Sequence, residues 1–217
     1  MIGILWDMDD TLLNTLPVRM RALAHAHEVC LGTRLLDPEA LWRSHRGGSL
    51  EAMGQRLMGD DYMRFCTTYR DFYYSQERVV ESYPGVEPVL QACLDHGMPM
   101  AVVTSKIAFG AIDELAKTGL LRFFGAVVGA DDTDLHKPDP EPVYAALERL
   151  CYDDPSEFLF VGDSPADIWA ARNAGCTSVG ALWGTIDREL LLDAMPDHTI
   201  KAPGELLALL TEVEAAR

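Results

Sequence analysis

A chain of 217 residues with 48% hydrophobic side chains can bury a substantial core, enough for one domain and a modest second one. Its 34 acidic against 18 basic side chains give a formal net charge of −16, a field that repels polyanions and disfavours nucleic acid or an acidic membrane surface as partner. The five cysteines are odd in number and form no CxxC pair or Cys/His cluster, so reduced and mostly buried thiols are expected in place of a disulfide frame or a zinc site. No apolar stretch approaches membrane-spanning length, and the apolar start meets acidic residues at once without a basic leader. A cytoplasmic enzyme, monomer or homodimer, is the expectation.

Ile2 to Trp6 is short, β-prone and apolar throughout, as a strand covered on both faces of a parallel sheet should be. From Leu16 to about Tyr83 the pattern is helical, with segments at Val18 to Leu31, Pro38 to Arg43, Leu50 to Met58 and Asp61 to Val80. Tyr83-Pro84-Gly85 punctuates the return to the core. Beyond it strand-like runs at 100–103, 126–128, 158–161 and 178–182 alternate with helical patterns at 86–96, 109–119, 141–151 and 166–174. Strand and helix in alternation predict an α/β fold, a doubly wound, Rossmann-like parallel sheet with an inserted all-helical cap. The expected division is residues 1–15 with 84–217 as core and 16–83 as cap.

In an open parallel sheet, ligands bind beyond the carboxyl ends of the strands. Four segments there are rich in polar groups: Asp7-Met8-Asp9-Asp10-Thr11, Thr104-Ser105-Lys106, Lys137-Pro138 and Gly162-Asp163-Ser164-Pro165-Ala166-Asp167. Carboxylates gathered at one sheet edge repel each other unless a hard cation lies among them, and Asp7, Asp9 and Asp163 are an oxygen set suited to Mg²⁺. A carboxylate can attack phosphorus to form an aspartyl-phosphate, and a second one two residues on is placed to protonate the leaving oxygen and later deprotonate water. Asp7 and Asp9 fit these roles. Lys137 and the Thr104 hydroxyl supply the positive charge and hydrogen bonds that a transferring phosphoryl group requires.

These four segments, in this order, resemble the four motifs of the haloacid dehalogenase-like hydrolase superfamily, and the resemblance spans nearly the whole chain. It implies Asp7 as nucleophile, Asp9 as acid/base, and Thr104, Ser105 and Lys137 as phosphate binders. It further implies Asp163 as metal ligand, Asp167 as an orienting or outer metal-site carboxylate, and a metal contact from Asp9 through its backbone carbonyl. Many members carry Gly where Asp10 stands and an acid where Asn14 stands; Asp10 is read as a turn or capping residue. The helical insertion is similar to the cap of the phosphoglycolate phosphatase and β-phosphoglucomutase group. Arg46-Gly47-Gly48-Ser49 corresponds in position to the substrate-specificity loop of such caps, with Arg46 and Gly47 the candidate contacts to an anionic leaving group.

Chemistry narrows the reaction. A dehalogenase does not need the acid/base aspartate present here as Asp9. A phosphonatase needs a Schiff-base lysine in the cap, and the stretch from Leu16 to Pro84 contains none. The expectation is a Mg²⁺-dependent phosphatase for a small phosphorylated metabolite, phosphoglycolate-like first. A β-phosphoglucomutase-like mutase, a nucleoside monophosphate phosphatase and a non-catalytic phospholigand-binding protein are the alternatives.

Overall fold

The structure, a computed structural model, describes residues 2–45, 50–75 and 80–215. The chain divides into two compact units, Met1–Asn14 with Glu81–Arg217, and Thr15–Val80.

The first unit is built on six parallel strands: β1 (Gly3–Trp6), β2 (Met100–Val103), β3 (Ala126–Val128), β4 (Phe158–Gly162), β5 (Thr177–Ala181) and β6 (His198–Ile200), in the order β3-β2-β1-β4-β5-β6. The chain winds outward from β1 through β2 to β3, then restarts on the other side at β4, so the order reverses between β1 and β4. Such a reversal is where doubly wound sheets open a crevice beyond their carboxyl ends. Strands β1, β2 and β4 are buried at every position, which explains their uninterrupted apolar sequences. Pleating divides the side chains between faces. Leu5, Ala101, Val103, Val128, Phe158 and Phe160 pack against Val143, Ala146 and Leu147 of one helix (Glu141–Leu150) and Ala170 and Ala171 of another (Pro165–Ala174).

The sequence reading places no strand at β6. That element is three residues long, two of them polar, too short for alternation to register, and its place comes from pairing with β5, Val179 opposite His198. Asp197 fixes the junction by accepting from the Ser178 backbone N–H at 2.8 Å and its hydroxyl at 2.6 Å.

Among its described residues the second unit contains four α-helices, α1 (Leu16–Leu31), α2 (Pro38–Ser44), α3 (Leu50–Met58) and α4 (Tyr62–Ser75). Helix α1 starts two residues before the expected Val18, because Pro17 suits a first turn, where its missing N–H costs nothing. The aromatic residues of α4 form its packing face: Phe65, Tyr69 and Tyr73 are buried, and Phe72 stacks on His25 of α1 with ring centroids 4.4 Å apart. Asp61, expected to open α4, belongs to a preceding 3₁₀ turn, Gly59–Asp61, and 76–79 lie outside the described residues.

Where the chain leaves and rejoins the sheet unit, its two passages run side by side. Leu13 bridges Ser82, the Asn14 N–H donates to the Glu81 carbonyl at 2.9 Å, and the Tyr83 N–H donates to the Leu12 carbonyl at 3.0 Å. Residues 81–83 are thereby tied to the loop after β1.

Candidate active site

Asp7 follows β1 directly, with its N–H donating to the Val161 carbonyl of β4 at 2.9 Å, so the crevice strand itself fixes its backbone. The chain then curls into a tight loop in which the Leu12 and Leu13 N–H groups donate to the Met8 carbonyl and the Asp10 N–H donates to that of Leu13 at 2.7 Å. Asp10 closes this loop at φ 64, a left-handed conformation that Gly takes freely and that Asp tolerates better than most residues. Gly184 lies so close beneath that a Cβ there would fall 1.8 Å from the Asp10 carbonyl oxygen. The Trp183 indole N–H donates to the Thr11 carbonyl at 2.9 Å, so Trp183 and Gly184 together brace the loop.

Lys137 gathers the carboxylates. Its side chain is 4% exposed, and its ammonium donates to Asp7 Oδ1 at 2.6 Å, Asp167 Oδ1 at 2.6 Å and the Val103 carbonyl at 3.0 Å. All three N–H donors are used. Burial works against this charge, but Asp167 and Asp7 outweigh it and hold the ammonium above its ordinary range. Asp7 is the group that yields. Burial, opposed by Lys137 and aided by Asp167 and Asp9, pushes its carboxyl up to about 7.

Asp167 has two duties. One oxygen faces Lys137; the other accepts from the Ser164 N–H at 3.1 Å and the Ser164 hydroxyl at 2.6 Å, binding the first turn of the Pro165–Ala174 helix to its cap. A capping acid and a site acid are therefore the same residue. Gly162 makes room for it, since a Cβ there would meet the Asp167 Cβ at 2.3 Å.

Thr104 directly follows β2, buried, with its Oγ1 accepting from the Lys106 N–H at 3.2 Å; Ser105 beside it is exposed. Asp163 directly follows β4 and accepts from the Thr11 hydroxyl at 3.2 Å. Asp9 turns its carboxylate to Lys106, whose ammonium stands 3.0 Å from Asp9 Oδ1 and 2.5 Å from Glu114 Oε2. Arg46 and Gly47 lie outside the described residues. Sequence reading gave no role to Lys106, Glu114 or Gly184. A signal for Glu114 existed: it shares the i, i+3, i+4 stripe of Ala111 and Leu115, so it is an acid on the buried face of its helix (Ala108–Lys117).

Among the described residues, Asp7, Asp163 and Asp167 bring one carboxylate oxygen each within 4.8 Å of one another. Lys137 meets two of these carboxylates, Asp7 and Asp167, and burial, with Asp167 and Asp9 adding to it, is what raises the Asp7 carboxyl. The all-oxygen, acidic donor set fits a hard divalent cation such as Mg²⁺. Asp9 is not part of this group; its carboxylate Oδ1 pairs with Lys106. No helix among the described residues is long and apolar enough to cross a membrane.

A sequence profile described as haloacid dehalogenase-like hydrolase matches residues 4–181. The pyrophosphatase PpaX of Bacillus pumilus is 33% identical over 211 residues, which cover 95% of this chain and 94% of that protein. The phosphoglycolate phosphatase of Escherichia coli K12 is 30% identical over 236 residues, covering 96% and 92% respectively. A crystal structure described as a predicted phosphoglycolate phosphatase from Haemophilus somnus is similar with a TM-score of 0.85 at 25% identity, over 96% of this chain and 97% of that one.

Proposed function

The chain belongs to the haloacid dehalogenase-like hydrolases, and on that premise we propose that it is a Mg²⁺-dependent phosphatase working through a phosphorylated Asp7. The observation that carries this reading is the buried constellation of Asp7, Lys137 and Asp167 beyond β1 and β4, where a nucleophilic oxygen is held beside a fully hydrogen-bonded cation.

In this reading an Asp7 oxygen attacks phosphorus and the bond to the leaving oxygen breaks. Asp9 gives that oxygen its proton, then takes one from the water that hydrolyses the aspartyl-phosphate. Lys137 and Thr104, with Ser105 at the rim, bind the equatorial oxygens, and Lys137 keeps its charge throughout because Asp167 remains its partner. Asp7, Asp163 and the Asp9 carbonyl would hold Mg²⁺, with Asp167 behind them. When bound, the ion supplies the positive charge that neutralises carboxylate and phosphoryl oxygens together. The helical unit is assigned the role of cap, with Arg46 and Gly47 reading the leaving group.

The relatives favour two substrates in which a phosphoryl group adjoins a second anion: phosphoglycolate, and inorganic pyrophosphate, the latter supported by the 33% identity to a pyrophosphatase. Phosphate release from both, and from a panel of metabolite monoesters, should be measured with Mg²⁺ and with chelator. Metal-dependent release with one of the two giving the highest kcat/KM is expected. Conversion of β-glucose 1-phosphate to glucose 6-phosphate as the dominant reaction would replace hydrolysis by mutase chemistry.

A further inference from the structure

Lys106 and Glu114 form an ion pair that the catalytic scheme above does not use. Glu114 lies inside its helix with a side chain 2% exposed, and Lys106 is 11% exposed. A carboxylate so buried destabilises a fold unless a cation meets it. The Lys106 ammonium does so at 2.5 Å, yet it also reaches Asp9 Oδ1 at 3.0 Å, and Asp9 itself is 19% exposed. The backbone that presents Lys106 is held on both sides: its N–H donates to Thr104 Oγ1 at 3.2 Å and its carbonyl accepts from the Ala130 N–H at 2.8 Å. Gly129 packs against the same segment, where a Cβ would fall 2.8 Å from the Lys106 carbonyl oxygen. A flexible lysine is thereby given a fixed root and a fixed counter-ion.

We propose that Lys106, anchored by Glu114, is a positioning residue that fixes the Asp9 carboxylate for proton transfer to the leaving group. The inference rests on the phosphatase reading and adds a relay of three side chains, Glu114 to Lys106 to Asp9. Lys106 touches no reacting atom. As the Asp7 oxygen bonds to phosphorus and the ester oxygen departs, the Asp9 proton moves to that oxygen and leaves a neutral alcohol and an Asp9 carboxylate. The Lys106 ammonium keeps that carboxylate in place until water attacks phosphorus, the bond to Asp7 breaks and the water's proton returns to Asp9. Proton delivery is sensitive to small displacements of the acid, so a wandering carboxylate loses much of its effect.

The demand for that proton depends on the leaving group. An alkoxide cannot depart unprotonated at neutral pH, whereas p-nitrophenolate can. Lys106→Met alone would strand the buried Glu114 charge, so the variant to use is Lys106→Met with Glu114→Gln, which removes both charges together. Its kcat/KM should be compared with the parent on phosphoglycolate and on p-nitrophenyl phosphate with Mg²⁺, alongside Lys106→Arg. The expected result is a loss of about 10- to 100-fold on the alkyl ester against at most about threefold on the aryl ester, with Lys106→Arg restoring most of the alkyl activity. Equal losses on both esters, or no loss on either, in an active parent would overturn the relay. A parent that releases no phosphate from either ester, from the monoester panel or from pyrophosphate removes the phosphatase reading and the relay together; a parent active on pyrophosphate alone keeps the phosphatase reading and overturns the relay to an ester oxygen.

Discussion

Asp7 is placed where its charge is costly, and this has a measurable thermodynamic sign. The folded protein binds a proton at Asp7 near pH 7, the unfolded chain near the ordinary aspartate value of 3.8. Between those values the folded state holds more protons, so without metal the Asp7 contribution to stability falls as pH rises through 7 and recovers toward pH 4. Asp7→Asn removes the charge and keeps an acceptor for Lys137. In chelator at pH 8 this variant should melt roughly 5 °C or more above the parent, with the gap closing as pH falls to 4. Identical melting at pH 8 would contradict a strained nucleophile. The same residue scale explains Asp10, whose left-handed backbone asks for Gly or a short polar side chain, independently of any contact with substrate.

Among the elements, the loop after β1 depends on a segment more than 170 residues away in sequence, because Trp183 donates to Thr11 and Gly184 lies under Asp10. Gly184→Ala forces the Asp10 carbonyl to move, which should cost about 1–3 kcal/mol of stability. A displacement there is passed to Asp7 and Asp9, and kcat should fall by about 10- to 100-fold in a protein that still folds. Denaturant unfolding and steady-state phosphate release measure the two effects; parent-like kcat would show the brace to be dispensable. Apolar strands such as 100–103 were legible because burial on both faces leaves an uninterrupted hydrophobic run. β6 was not, since pairing and the Asp197 to Ser178 bonds decide it more than its own three residues do. The segments at Asp7, Thr104 and Asp163 stand out in the sequence because each directly follows a strand, whereas Lys137 lies nine residues past the end of β3. Lys106 does not stand out, because its partner Glu114 is supplied by the next helix.

At the scale of the molecule, two compact units share one chain, Met1–Asn14 with Glu81–Arg217, and Thr15–Val80. The neighbouring passages at 12–14 and 81–83 make excision of the helical unit feasible. A chain of residues 1–14 and 81–217 joined by a short glycine linker should keep its circular dichroism and unfold cooperatively, because its sheet core is its own. Loss of cooperative unfolding would show that the sheet unit depends on the helical one.

The central claim is that Asp7 carries the phosphoryl group during turnover. It is tested most directly by acid-quenching the Mg²⁺-loaded enzyme during hydrolysis of its best substrate and mapping the phosphorylated peptide by mass spectrometry, with Asp7→Asn in parallel. The account predicts one phosphoryl group on Asp7 in the parent, and neither the adduct nor turnover in Asp7→Asn. A phosphoryl group on another residue, or an Asp7→Asn enzyme within a few-fold of parental activity, would contradict it.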